Sequence, residues 1–301
     1  MTKSVAGARS LGELDVARRL RTALEEDGFA VADRIVPPAT AELLGARLEK
    51  VLDRRYETGV FPDEAYYRPG TTDPRAPRHV VNAWKCDRLV AAVSLSAALG
   101  ELAAAVFGWD GVRLAVDTVW FKPAASQAVE YHREFEYFTS LDQPDVASCW
   151  IALDDAGADN GSLEFATGSH RWPELEQAEQ FELLSRHHGR DGVRAVAERQ
   201  GSPLRIDTVR VPAGGGAFFH GRIWHGSQPN SSDLPRRAYG IHWIRADALL
   251  RADRSPRYLF GRYKLAGSTA LHESFFPLVW SADGRRSAWI EPFLAGGPLG
   301  G

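Results

Sequence analysis

The segment Tyr131-His132-Arg133-Glu134-Phe135 carries two side chains able to grip a metal ion, one residue apart. In an extended chain, side chains two positions apart share a face, so His132 and Glu134 converge while Tyr131, Arg133 and Phe135 point away. A third ligand must come from elsewhere, and His225, in the run Phe218-Phe-His-Gly-Arg-Ile-Trp-His225, is the best placed. Two imidazoles and one carboxylate on one side of an ion leave the other side open. That suits Fe(II), because oxygen and a chelating cosubstrate can then bind next to each other. Taken alone the pattern is weak, since His-x-Glu is common and a histidine in β-rich sequence is more often a hydrogen-bonded structural residue.

The other histidines carry less. His220 lies five residues before His225, on the opposite face of an extended chain, and is expected to be structural. His170 falls in the turn-like Gly168-Ser-His-Arg, and His187-His188 in a polar stretch where an exposed pair is expected. His79, His242 and His272 have no partner at ligand spacing. Cys86 and Cys149 are too few for a thiolate site and are expected to be buried. Asn160-Gly161 and Gly214-Gly-Gly216 read as turns, the latter lacking the strand–glycine–helix setting of a phosphate loop. Trp120, Tyr131, Trp150 and Trp243 are expected mostly to fill the core. Phe135, Tyr137 and Trp224 are the expected pocket walls, being nearest the ligands in sequence.

These residues must be held by a frame. Leu14, Ala17, Leu20 and Leu24 recur at helical spacing before Gly28, and a second helix is expected after Pro37-Pro38, burying Leu44, Leu48, Val51 and Leu52. From about residue 112 to 245 come short β-branched and aromatic segments separated by turn formers, interrupted by a helical insertion at about 174–200. The expected fold is mainly β with flanking α-helices, a sandwich or barrel, the N-terminal helices of about 10–55 packing on it within a single domain, 1–301. The stretch from Leu271 to Phe293 has aromatics enough to cover the core, cap the site or make a dimer contact. The chain ends, rich in small residues, are expected to be loosely ordered.

A net charge of -3 over 301 residues offers no basic stripe for a nucleic acid or a membrane surface. The sequence reads as having no window near the roughly 18–20 apolar residues of a membrane span, and no cleavable leader. A soluble cytoplasmic protein is the simplest expectation.

Beyond single motifs, ordered blocks carry a resemblance. Lys122-Pro123, His132-x-Glu134, Trp150 to Asp155, Asn160-Gly-Ser-Leu-Glu, Gly168-Ser-His-Arg, Phe218-Phe-His-Gly, His225-Gly-Ser, Asn230-Ser-Ser and Arg236-Arg237 follow one another over about 115–245. This resembles the phytanoyl-CoA dioxygenase family within the 2-oxoglutarate-dependent oxygenases. The resemblance implies a double-stranded β-helix, or jelly roll of the cupin kind, with His132, Glu134 and His225 holding Fe(II). It also implies Arg236 and Ser227 on the distal carboxylate of 2-oxoglutarate, where a guanidinium can make two parallel hydrogen bonds. Glu134 departs from the aspartate most members carry, which lengthens the reach to the metal. It also argues against halogenation, which in related enzymes needs a small residue at that position.

The implied reaction consumes 2-oxoglutarate and O2 and oxidises an unactivated C–H bond; hydroxylation is the expected outcome, with desaturation, epoxidation, epimerisation or ring closure as variants. No basic cluster in the N-terminal half suggests a site for coenzyme A. A small molecule of bacterial specialised metabolism is the expected substrate, with no nucleic-acid or membrane partner. Two other readings stay open: an inactive jelly-roll binding protein, and a cupin-type Zn(II) or Mn(II) hydrolase or isomerase, which would need neither Arg236 nor Ser227.

Overall fold

A computed structural model describes residues 11–254 and 258–297; the expectation for the extreme ends lies outside them. The chain opens with α1 (Leu11–Asp27), β1 (Phe29–Ala32) and α2 (Pro38–Leu52). Ala17, Leu20 and Leu24 are buried as their spacing requires, but Leu14 is half exposed, because the packed stripe begins only at Ala17. In α2 the stripe holds at Leu44, Leu48 and Val51, with Leu52 at its margin.

The next stretch carries elements that periodicity did not separate: β2 (Glu64–Ala65), β3 (Arg78–Val81), α3 (Arg88–Ser94) and α4 (Ala97–Phe107). Arg88–Phe107 is, among the described residues, the one stretch long and apolar enough to cross a membrane, which corrects the reading that no such window exists. The structure breaks it at Leu95–Ser96. Asp87 caps α3 by accepting from the backbone N–H groups of Leu89 and Val90, and Ser96 caps α4 through that of Leu99. Two short helices that bury Val90, Ala91, Ala103 and Ala104 against a sheet account for its apolar character.

The remaining strands are β4 (Gly111–Lys122), β5 (Val129–His132), β6 (Ala147–Ala152), β7 (Leu163–Ala166), β8 (Ile206–Thr208), β9 (Gly216–His220), β10 (His225–Ser227), β11 (Arg236–Arg245) and β12 (Leu278–Ser281). Helices α5 (Gln177–Arg186) and α6 (Gly189–Arg199) form the expected insertion, and α7 (Ile290–Leu294) closes the described chain. Among the described residues, eight strands form one antiparallel sheet in the order β1-β9-β6-β11-β4-β3-β2, with β12 added against β4; four form a second, β5-β10-β7-β8. The two facing antiparallel sheets, flanked by helices and without a closed barrel, make the jelly roll.

Alternation assigns the faces. On β11, Tyr239, Ile241 and Trp243 join the core beneath the helices, while Arg236 and His242 turn inward toward the second sheet. On β4 a register shift opposite His242/Trp243 inserts one extra residue. Leu114 therefore packs under the helices, whereas Val116, Thr118 and Trp120 face the interior. The C-terminal aromatics cover core: Phe276 and Phe293 are buried, and β12 extends the large sheet.

Candidate metal centre and adjoining cavities

His132 and His225 are direct cross-strand partners on β5 and β10 of the small sheet, their ring centroids 4.2 Å apart. The strand stops at His132. Arg133 stays extended (φ −128°, ψ 132°), and Glu134 opens a 3-10 turn, Glu134–Phe138, so alternation holds for the one step that brings His132 and Glu134 to the same side. The ligand atoms of His132, Glu134 and His225 all lie within 4.8 Å of one another.

Each imidazole is oriented from behind. Nδ1 of His132 lies 2.9 Å from the Glu130 carbonyl, and Nδ1 of His225 lies 3.1 Å from that of Ile223. A carbonyl can only accept, so Nδ1 carries the hydrogen and Nε2 keeps its lone pair. The two Nε2 atoms then face Glu134 Oε1 at 3.5 and 3.2 Å. Three electron-pair donors converging in this way call for a cation between them. Without a metal a proton partly answers that need: burial would depress His132, but the Glu134 carboxylate outweighs it and raises the ring. Burial likewise pushes the Glu134 carboxyl up, yet His242, His132 and His225 together hold it well below the ordinary range. His225 is lowered by burial and by its neighbour His132.

The centre sits between two cavities. The inner one is lined by Trp150, Leu163, Phe219, Ser227, Arg236 and the triad itself. Arg236 is 3% exposed, and only one of its nitrogens is engaged, donating to the Gly161 carbonyl at 2.9 Å. Nε and Nη1 are buried without a partner among the described residues. An unpaired buried guanidinium is costly, and burial already lowers it to about 10. Beside it lies Lys122, equally buried and pushed down to about 7 by burial and by the charge of Arg236. Gly161 sits in the left-handed region (φ +68°), and a Cβ there would come within 2.6 Å of the Gln228 carbonyl, so only glycine lets this turn close behind Arg236. The cradle fits a carboxylate. Arg237, by contrast, faces outward and pairs with Asp154 and Glu49.

The outer cavity, of about 430 Å³, opens on the other side of the triad and is lined by Tyr66, His79, Trp120, Tyr137, Phe138 and His242, among others. Of the three expected pocket walls, Tyr137 is here. Phe135 and Trp224 are not: both point to the far side of the small sheet, where Arg133 lies 4.7 and 4.8 Å from their ring centroids. The alternation that turns His132 and Glu134 inward turns them away. Trp224 packs with Tyr131, Val193 and Val196 beneath α6. Trp120 and Trp150, expected in the core, line the cavities instead. His79 and His242 also face the centre, although neither has ligand spacing in sequence; their alternation with core residues on β3 and β11 was the available signal. His220 lies off the site, its ring 5.6 Å from that of His170.

Comparison with known proteins adds the following. The family profile described as "Phytanoyl-CoA dioxygenase (PhyH)" matches residues 24–238. The "Probable alpha-ketoglutarate-dependent hypophosphite dioxygenase" of Stutzerimonas stutzeri is 26% identical over 144 residues, 46% of this chain and 47% of that protein. The chain thus spans about half the length of the curated relatives it matches. Among solved structures, the alpha-ketoglutarate-dependent carbocyclase SnoK from nogalamycin biosynthesis superposes with a TM-score of 0.69 at 21% identity, over 90% of this chain and 99% of that one. The epimerase SnoN, solved with Fe3+, alpha-ketoglutarate and nogalamycin RO, gives 0.68 at 20% identity over 88% and 99%. These structural likenesses establish the fold.

Proposed function

Because the chain belongs to the phytanoyl-CoA dioxygenase family, we propose that it is an Fe(II)- and 2-oxoglutarate-dependent oxygenase that hydroxylates an unactivated C–H bond of a small molecule in bacterial specialised metabolism. The observation that carries this is the Arg236 guanidinium, two of its three nitrogens unpaired among the described residues, buried in a cavity shared with two histidines and a carboxylate. A cupin-type hydrolase would have no use for such a group.

In this reading His132, Glu134 and His225 would hold the iron, the two imidazoles being anchored by Nδ1–H to backbone carbonyls. Arg236 takes the distal carboxylate of 2-oxoglutarate in a forked pair of charge-assisted hydrogen bonds, and the Ser227 hydroxyl adds a further donor. Lys122, pushed down to about 7 beside the unanswered Arg236, would regain its full charge as a dianion enters. Trp150, Leu163 and Phe219 wall the inner cavity against water. Iron and 2-oxoglutarate, when bound, would supply the activation of O2, one of whose oxygen atoms would end in succinate as carbon dioxide leaves and the other in the hydroxyl group of the product. The outer cavity decides which carbon lies nearest. The likeness of the whole chain to enzymes named for nogalamycin biosynthesis is what suggests specialised metabolism.

The test is anaerobic addition of Fe(II) and 2-oxoglutarate to the metal-free protein while the visible spectrum is recorded. A weak charge-transfer band that disappears in His225→Ala, and needs far more 2-oxoglutarate in Arg236→Ala, is expected. Iron binding without a band would point to a different metal enzyme, and no iron binding to a binding module.

A further inference from the structure

One wall of the outer cavity is a stack of three rings. His79 lies between Tyr66, at 4.2 Å and 23°, and Trp120, at 4.7 Å and 28° between ring planes. The stack is built into the sheet: His79 and Trp120 are cross-strand partners on β3 and β4, and the Tyr66 N–H donates to the His79 carbonyl at 3.0 Å. Both faces of the imidazole are therefore covered, and the ring meets the cavity by its edge. Its nitrogens have no protein hydrogen-bond partner among the described residues. Burial depresses this histidine to about 4, so it is a neutral donor and acceptor at pH 7.

Among the described residues, no lysine or arginine lines the outer cavity; its charged groups are Glu130 at the rim and Glu134 of the triad. A phosphate, a thioester of coenzyme A or a small oxyanion would find no cation there and would face a carboxylate. A cation fares little better: a divalent ion on the triad, Glu134 and the chelating carboxylate of 2-oxoglutarate would together carry no net charge, so for either sign of ligand only the solvent-screened Glu130 remains. What the wall does offer is flat apolar area and a hydrogen-bonding edge.

We infer that the outer cavity binds an uncharged ring compound, laid against the Tyr66–His79–Trp120 wall with a hydroxyl or carbonyl group hydrogen-bonded to His79. His79 is thereby a specificity-determining residue. The inference rests on the oxygenase reading only for placing this ligand beside a reactive metal.

Calorimetric titration with a matched set of probes tests it: 2-naphthol, 2-naphthyl phosphate and 2-methylnaphthalene, each against the anaerobic protein loaded with Fe(II) and 2-oxoglutarate, and against the metal-free protein. 2-Naphthol is expected to bind and the phosphate at least tenfold more weakly. His79→Phe, which keeps a ring in the stack, is expected to weaken 2-naphthol about tenfold, the scale of one neutral hydrogen bond, and to leave 2-methylnaphthalene unchanged. His79→Gln, which restores a donor and an acceptor, should recover part of the loss. Retained 2-methylnaphthalene binding shows that a variant has kept its fold. The inference is overturned if the phosphate binds as well as 2-naphthol, or if His79→Phe leaves 2-naphthol binding untouched. The charge-transfer band separates the two readings. A band with the wrong probe preference rejects only the ligand class, and the right preference without a band rejects only the oxygenase.

Discussion

At the residue scale, the centre depends on reach and on hydrogen-bond direction. Glu134 comes within 3.2 Å of His225 Nε2 from the first position of a 3-10 turn. Glu134→Asp draws the carboxylate back by about one carbon–carbon bond, ~1.5 Å. It is therefore expected to weaken Fe(II) binding measurably, whereas Glu134→Ala abolishes it; titration of the metal-free protein checks both. For Arg236→Ala the expected outcome is a loss of 2-oxoglutarate affinity by about 30-fold or more, the scale of removing one partner of a buried charged pair. Arg236→Lys should recover only part, because an ammonium lacks the planar fork. Dissociation constants from the anaerobic titration decide; equal affinity in wild type and Arg236→Ala would remove this residue from the site.

At the scale of elements, two sheets and one bulge aim the side chains. The extra residue in β4 turns Val116, Thr118 and Trp120 inward, while on β11 the straight alternation delivers Arg236 and His242 to the same interior. Strand β9 must approach β6 closely for this to hold. A Cβ at Gly216 would fall 1.9 Å from the Trp150 carbonyl oxygen, a backbone atom that cannot rotate aside. Gly216→Ala is accordingly expected to cost at least the ~1–3 kcal/mol typical of overpacking. A fall in thermal midpoint should accompany a weaker 2-oxoglutarate response, because Trp150 walls the inner cavity. A variant with wild-type stability would show that the two strands have more freedom than their register implies.

At the scale of the whole molecule, buried neutral histidines make stability depend on pH. His79 and His170 are lowered by burial from 6.5 to about 4, and His220 and His242 are also lowered by burial. Between pH 6.5 and 4 the unfolded chain therefore binds more protons at His79 and His170 than the folded one. Their contribution is full above 6.5 and is lost as pH falls toward 4. Asp117, raised by burial to about 6, and His132, raised by Glu134 against the effect of its burial, act in the opposite direction in the metal-free chain. A difference measurement isolates one member: denaturant unfolding of wild type and His79→Phe across this window should give a shallower acid loss in the variant. Parallel curves would mean that His79 is protonated alike in both states.

Local spacing determined much of this protein. The reach of His132 and Glu134 to one side, the burial of Leu44, Leu48 and Val51, the helical insertion and the outward turn of Arg237 all follow from periods of two and 3.6, which need only neighbouring residues. The order of the motif blocks identified the family, and with it the jelly roll. Other features depended on which strands lie side by side. His79 and His242 have no ligand spacing, yet cross-strand pairing carries both to the centre. Phe135 and Trp224 are near the ligands in sequence but on the wrong face, and the apolar run Arg88–Phe107 is divided into two capped helices packed on a sheet. A cavity is bounded by residues far apart in the chain. Its walls are therefore decided by sheet register and by the bulge in β4, which no local pattern encodes.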